Sequence, residues 1–283
     1  MQDAFAHCEA LVRMADKDRF VAALFAPAEH RGALYALYAF NIEIARVREI
    51  IREPLAGEIR LQWWSDAIAG RAAGDAAANP VAAALLAAMA RYRLPGELLT
   101  GLIAARRFDL YNDPMRELAD FNDYASATSS AVIELSARIL ETDEVPALGR
   151  LALHAGLGYA IAGLLQAFPI HAGRGQLYLP LEVLERHGVE LKEFAAKQAT
   201  PGLRAAFAEM GRQARAHLAQ AARLAEGMPE AVLPALLPVA LARPLLDRME
   251  REDYDPFAPV GIAPWRRQWR LWRAARRPTR IFS

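Results

Sequence analysis

LALHAGLGYAIAGLLQAFPIHAGRGQLYLPLEVLERHGV, residues 151–189, decides how this chain of 283 residues is read. Its first half is apolar and free of charge. Gly156, Ala160, Gly163, Ala167 and His171 fall four, three, four and four residues apart, which puts them on one face of a helix. A stripe of glycine and alanine lets a second helix or a ligand approach closely. Pro169 withholds an amide from the helix ladder and is expected to kink or end the helix. A Gly173-Arg174-Gly175 turn follows, then Tyr178-Leu179-Pro180 and a short amphipathic piece. Between Arg150 and Arg174 lie 23 uncharged residues, enough to span a bilayer. His154, Gln166, Pro169 and His171 interrupt that run, so a buried core helix is the expectation.

Outward from this stretch the composition points the same way. Hydrophobic residues make up 54% and aromatics only 8%, so alanine and leucine carry the apolar fraction. Both are strong helix formers because they lose little side-chain entropy in a helix. Alternating runs rich in Val, Ile and Thr are missing, and the fold class expected is all-α, a single-domain helical bundle. The net charge of +1 argues against bulk nucleic-acid affinity. It is unevenly spread. Residues 264–283 hold seven arginines and no acid, leaving 27 basic against 33 acidic side chains elsewhere, a balance of −6. Cys8 is the only cysteine, so no internal disulfide can form. MQDAFAHCEALVRM lacks a basic segment followed by an apolar run, so no secretory signal is expected and the localisation expected is cytoplasmic.

Caps and breakers divide the rest. A helix is expected over 3–14, then an apolar link over 20–26. Pro27 should open a long helix over 28–52, stopped by Pro54 and Gly57. Leu61, Trp64 and Ile68 set a helix over 58–71, with Gly70, Gly74 and Asn79-Pro80 as punctuation. Further helices are expected over 81–92, 97–111 and 121–140, with Asp113-Pro114 read as a cap and first-position proline. Thr200-Pro201 repeats that signal for a helix to about 226. Pro229, Pro234, Pro238 and Pro244 then predict broken helices, and 265–277 a last one. The chain divides into a helical domain over 1–262 and a basic Trp/Arg tail over 263–283.

Gly175, Tyr178-Leu179-Pro180 and Gly188-Val189 resemble the second signature of the squalene/phytoene synthase family. Residues 34–40, LYALYAF, resemble the lead-in to its first. The resemblance covers roughly residues 5–250 and implies the isoprenoid synthase fold. It also implies a chemistry: head-to-head joining of two prenyl diphosphates, with Mg²⁺ held by two aspartate motifs. Mg²⁺ takes hard oxygen ligands and bridges carboxylates to phosphate oxygens, which offsets the charge of the departing diphosphate. Carried onto this sequence, the first motif falls on NIEIARVRE, residues 41–49. Its arginine position reads Ile42, its paired aspartates Ala45 and Arg46, and its third acid Glu49. In the second motif the asparagine position reads Gly163, the arginine Gln166 and the aspartates Ala167 and His171. The glycine-arginine before the tyrosine reads Gly175-Gln176. One carboxylate remains where the family has several, so no catalytic residue and no Mg²⁺ cofactor is expected. A slip of one turn would instead assemble Glu43, Glu49 and Glu53 opposite Asp109 and Asp113. Residues 39–47, AFNIEIARV, and 60–64, RLQWW, resemble the branch of the family that contains the mitochondrial respiratory complex I assembly factor. That resemblance implies an assembly role beside a respiratory complex subunit, with a prenyl or other lipid as ligand. The alternative it leaves open is an active prenyl transferase using farnesyl or geranylgeranyl diphosphate and Mg²⁺.

The residues expected around a ligand cavity are Tyr38, Asn41, Arg46, Gly163, Gln166 and Tyr178, between the helices carrying 38–49 and 156–167. Arg46 has a plainer reading, an ion pair with Glu43 or Glu49 three residues away. A lone histidine such as His171 more often closes a helix end than binds metal. In the tail, Trp265, Trp269 and Trp272 recur at i, i+4 and i+7, beside Arg266, Arg270, Arg273 and Arg277. Indole rings with arginines suit a weak contact with an anionic membrane, at the inner face for a cytoplasmic protein. The bland alternative docks the three rings on the helical bundle.

Overall fold

The computed structural model describes residues 1–51, 53–72 and 76–283. Arg52, the expected end of the long helix, and Gly74 lie outside the described residues. In chain order the helices are α1 (Gln2–Ala15), α2 (Lys17–Ala23), α3 (Ala28–Ala45), α4 (Val47–Ile50), α5 (Pro54–Ile68), α6 (Pro80–Tyr92), α7 (Gly96–Arg106) and α8 (Leu118–Ala125). They continue with α9 (Ala131–Leu140), α10 (Leu148–Gly173), α11 (Leu181–Arg186), α12 (Leu191–Ala195), α13 (Pro201–Ala225), α14 (Leu233–Leu236), α15 (Ala242–Met249) and α16 (Pro264–Arg276). No strand forms among the described residues, and the all-α expectation holds.

Contacts group the helices into two compact units. The first comprises Met1–Tyr111, Ala131–Gly149 and Gly227–Pro238. The second comprises Asn112–Ser130, Arg150–Glu226 and Val239–Ser283. At the centre of the first unit lies α3, which packs against α1, α6 and α9. Ala33 to Ile42 are all buried. A helix that is apolar on every side is stable only when other helices surround it, and α3 is in that position. Phe40 meets Trp64 edge-on at 5.1 Å between ring centroids, and Leu61, Leu85, Leu99 and Leu102 complete the core. Cys8 is sealed in the same core, and burial pushes its thiol up to about 12, so it is not a reactive thiolate.

The second unit is built on α10 and α13. Phe168 of α10 is its aromatic hub, with ring centroids 5.0 Å from Phe207, 5.2 Å from Phe257 and 5.7 Å from Phe194. Thr200 caps α13 through its hydroxyl, which accepts from the Leu203 amide, with Pro201 in the first turn as expected. By length and composition α10 could cross a bilayer, and 56% of its most apolar window is buried in the protein.

Several local expectations need correction. Pro169 does not end α10, which continues to Gly173. A proline four residues from a helix end removes one amide bond, and tertiary packing outweighs that loss. Pro54 opens α5 rather than stopping its predecessor, and Gly57 sits inside α5, where a Cβ would meet Leu110 at 2.6 Å. The long helix breaks earlier, at Arg46. Asp113-Pro114 opens no helix. The cap of α8 is a box in which the Glu117 and Asp120 side chains each accept from the other's backbone amide. The helix expected over 121–140 divides into α8, a π-helical segment Ser126–Ser130, and α9.

Candidate functional site

In the first unit the residues of the first motif line a cleft of about 620 Å³. Asn41, Ile42 and Ala45 come from the end of α3, Arg46 from the break, and Glu49 from α4. Asp16 and Arg19 come from the α1–α2 junction, and Arg106 from the end of α7. The break at Arg46 keeps αR backbone angles, so Ala45 and Glu49 stay in helical register across it.

Each arginine of the cleft has a carboxylate beside it. Asp16 caps α2, one oxygen accepting from the Arg19 amide at 3.0 Å and the other from Arg19 Nη1 at 2.8 Å. Arg106 Nη1 donates to the buried Asp109 Oδ2 at 3.0 Å. Arg46 Nε lies 3.6 Å from Glu49 Oε2, with both side chains close to half exposed. That last pair is the weakest, since exposed ion pairs contribute ~0–1 kcal/mol. Glu43 turns elsewhere and accepts from Arg60 at 3.1 Å. Asn41 is 6% exposed, and its Oδ1 has no hydrogen-bond partner among the described residues. Tyr38 lies deeper, in the core, with the Arg19 guanidinium 5.7 Å from its ring centroid. Burial pushes its phenol pKa up.

The second-motif residues occupy the second unit. His171 and Tyr178 pack ring to ring, tilted by 45° at 4.5 Å between centroids, and, with Phe121, Ile161 and Phe168, line an apolar crevice of only about 10 Å³. That is the scale of a single water molecule. Tyr178 also meets Tyr124, at 5.6 Å. Gln166 Nε2 donates to the Val260 carbonyl at 3.1 Å, tying α10 to the loop before α16. Ala167 is half-buried on the same stretch. The glycine stripe splits in use. A Cβ on Gly156 would lie 2.4 Å from Ser130 Cα, whereas one on Gly163 would have no atom of the described residues within 4 Å. Among the described residues, no three His, Cys, Asp or Glu side chains converge as they would to hold a metal ion.

Sequence reasoning passed over Asp16, Arg19 and Arg106. The Asp-x-x-Arg cap of α2 was readable locally, but nothing local links residues 16–19 to 41–49 and 106. It also passed over a histidine pair. His154 Nδ1 on α10 and His217 Nδ1 on α13 are 2.9 Å apart, where Gly158 brings α10 against Leu218 and the Ala214 carbonyl. One neutral ring donates and the other accepts. Burial holds both imidazoles below the ordinary histidine range. Arg223 adds to the effect on His154, and His154 to that on His217. The unfolded chain therefore takes up these protons at higher pH than the native one. The stability is complete above about pH 6.5 and declines as pH falls towards the lowered native values. The urea midpoint is expected to drop between pH 7.5 and 5.5, and to drop less in the His154→Leu/His217→Leu variant. Parallel curves for the two proteins would assign the pair no part in pH sensitivity.

At the C-terminus, α16 packs on its unit through Leu271 and Ala274, both buried, and Ile281 and Phe282 are buried beyond it. Arg243 Nη1 donates to the Phe282 carbonyl at 3.3 Å. The three tryptophans do not dock. Trp265, Trp269 and Trp272 are 65%, 49% and 46% exposed.

The sequence pattern of squalene/phytoene synthases matches residues 12–273. Among individual proteins, the NADH dehydrogenase (ubiquinone) complex I assembly factor 6 of Rattus norvegicus is 30% identical over 257 residues, covering 91% of this chain and 77% of that protein. The crystal structure of squalene synthase HpnC from Alicyclobacillus acidocaldarius superposes with a TM-score of 0.76 at 25% identity, over 90% of this chain and 96% of that one. A dehydrosqualene synthase solved in complex with a ligand gives a TM-score of 0.82 at 19% identity, over 97% and 96% of the two chains. The helical architecture is therefore the isoprenoid synthase fold. With a family match that runs through nearly the whole sequence, and this architecture behind it, the chain belongs to the squalene/phytoene synthase family.

Proposed function

We propose that this protein is a non-catalytic member of its family that acts in the assembly of respiratory complex I and takes a prenyl or other lipid chain as ligand. The observation that carries this reading is the charge balance of the first-motif cleft. Where the family's chemistry calls for carboxylates, Ala45 offers no ligand and Arg46 places a cation 3.6 Å from the one acid left in the motif, Glu49, while the cleft's other carboxylate, Asp16, is taken up by Arg19. A Mg²⁺ ion there would have to displace Arg46 and would still lack a second carboxylate on that helix. The donor set does not fit the ion. The shifted arrangement fares no better, since Glu43 pairs with Arg60 and Asp109 with Arg106. At the second motif, Ala167 offers no ligand and the His171 ring packs against Tyr178. The resemblance to complex I assembly factor 6 supports the role, and membership of a family named for squalene and phytoene synthesis supports the lipid.

Incubation with farnesyl or geranylgeranyl diphosphate and Mg²⁺ is expected to release no pyrophosphate above buffer. Removing the protein from its own cell is expected to deplete assembled complex I and leave squalene and phytoene unchanged. The second reading, a prenyl transferase that grips diphosphate through arginine, draws on Arg19, Arg46 and Arg106 around one cleft. Turnover near ordinary enzyme rates, about 1 s⁻¹ or faster, would establish it in place of the first.

A further inference from the structure

We infer that α16 is a docking surface for an anionic phospholipid bilayer, and that it meets the bilayer while still packed on its own unit. Two faces of the helix have separate tasks. Leu271 and Ala274 point into the protein and are sealed. Trp265, Trp269 and Trp272 lie about half a turn away and face solvent. Three large indoles held outward on one side of a 13-residue helix form an aromatic face that, among the described residues, stays about half or more exposed.

The charge around that face selects the occupant. Each indole has an arginine over it: Arg266 on Trp265 at 5.0 Å, Arg273 on Trp269 at 4.8 Å and Arg276 on Trp272 at 4.7 Å. Residues 264–283 contain no acid, so the seven arginines there are not offset within the segment, although the remainder of the chain is acidic. Tryptophan sits at the level of lipid headgroups, with its ring in the acyl boundary and its N–H towards water. Arginines stacked on those rings are placed at the same depth, where phosphate oxygens are. A second copy of this chain would bring another cationic stripe against the first, and like charges oppose that pairing. An anionic bilayer satisfies both the rings and the cations.

The helix is also held at both ends. Gln166 binds the Val260 carbonyl ahead of it, and Arg243 binds the Phe282 carbonyl behind it. The face is therefore presented already ordered, so little conformational entropy is lost when it meets a surface.

The test uses the full chain with vesicles of phosphatidylcholine alone and of phosphatidylcholine with about 30% phosphatidylglycerol. The wild type is expected to pellet with the anionic vesicles at least tenfold more than with the neutral ones, and to release at high salt. The R266Q/R270Q/R273Q variant is expected to bind about a hundredfold more weakly, about fivefold per arginine. The W265S/W269S/W272S variant should also lose binding. Should that variant fail to fold, brominated lipid in the anionic vesicles is expected to quench the wild-type tryptophan fluorescence. Equal pelleting on both vesicles, variants that pellet like the wild type, or absence of quenching would overturn the inference. So would a dimer that forms without vesicles and is lost in the tryptophan variant, because the face would then belong to a second copy.

Discussion

Gly156→Ala is expected to destabilise the protein by about 3 kcal/mol, a fall of roughly 5–10 °C in Tm. The added Cβ would sit 2.2 Å from Ser130 Oγ, 2.4 Å from its Cα and 2.5 Å from its amide nitrogen. Two of those three atoms are backbone, so no rotamer change relieves the clash. The backbone there is already committed: Ser130 ends the π-helical segment, and its hydroxyl donates to the Leu153 carbonyl at 3.0 Å. The internal control is Gly163→Ala, seven residues along the same helix. There a Cβ meets nothing among the described residues within 4 Å, and replacing a mid-helix glycine should raise stability by about 0.5–1 kcal/mol. Opposite signs at two positions of one glycine stripe, read by thermal unfolding, are the expected result. Equal effects would mean that α10 and the Ser126–Ser130 segment do not approach as described.

The second large effect is expected at Trp64. Its ring is 1% exposed and packs on Phe40 and Trp63, each at 5.1 Å between centroids. Trp64→Ala removes the largest fully buried side chain of the first unit and should lower stability by about 3–5 kcal/mol. Trp64→Phe should cost clearly less. It keeps most of the packing, and the indole N–H it deletes has no hydrogen-bond partner among the described residues. Urea unfolding checks both, with the comparison valid where the slope m is unchanged. If Trp64→Phe costs as much as Trp64→Ala, the buried N–H has a partner after all. The consequence reaches the cleft, because Phe40 directly precedes Asn41, Ile42 and Ala45 on α3. A loosened core at Trp64 frees the helix that carries the first motif.

The aspartate positions and the tail were readable for one reason and their surroundings unreadable for another. Ala45, Arg46, Glu49, Ala167 and His171 can be located by counting from LYALYAF and YLP, since a motif on one helix has a fixed local spacing. The i, i+4, i+7 tryptophans were equally plain. Which way that helix turns was not. Amphipathic periodicity shows that α16 has two faces, and only the burial of Leu271 and Ala274 shows which one is used for docking. The same limit applies at Arg46, where both Glu43 and Glu49 were open as partners. Arg60, from α5, takes Glu43 and leaves Arg46 beside Glu49.

Helices are built from bonds four residues apart, so the all-α class, the family signatures and most helix positions follow from neighbouring residues. Of the exceptions among the local readings, Pro54 follows proline's preference for a first helical turn, while Pro169 and Asp113-Pro114 are places where packing outweighed a propensity of a few kcal/mol at most. Residues far apart in the chain meet only through the fold. Arg106 joins the cleft of Asn41, Gly156 receives Ser130, and His154 finds His217, across separations that carry no pattern in the sequence. The chemistry available at each place, a neutralised arginine cleft and an uncovered tryptophan face, was therefore decided by tertiary packing.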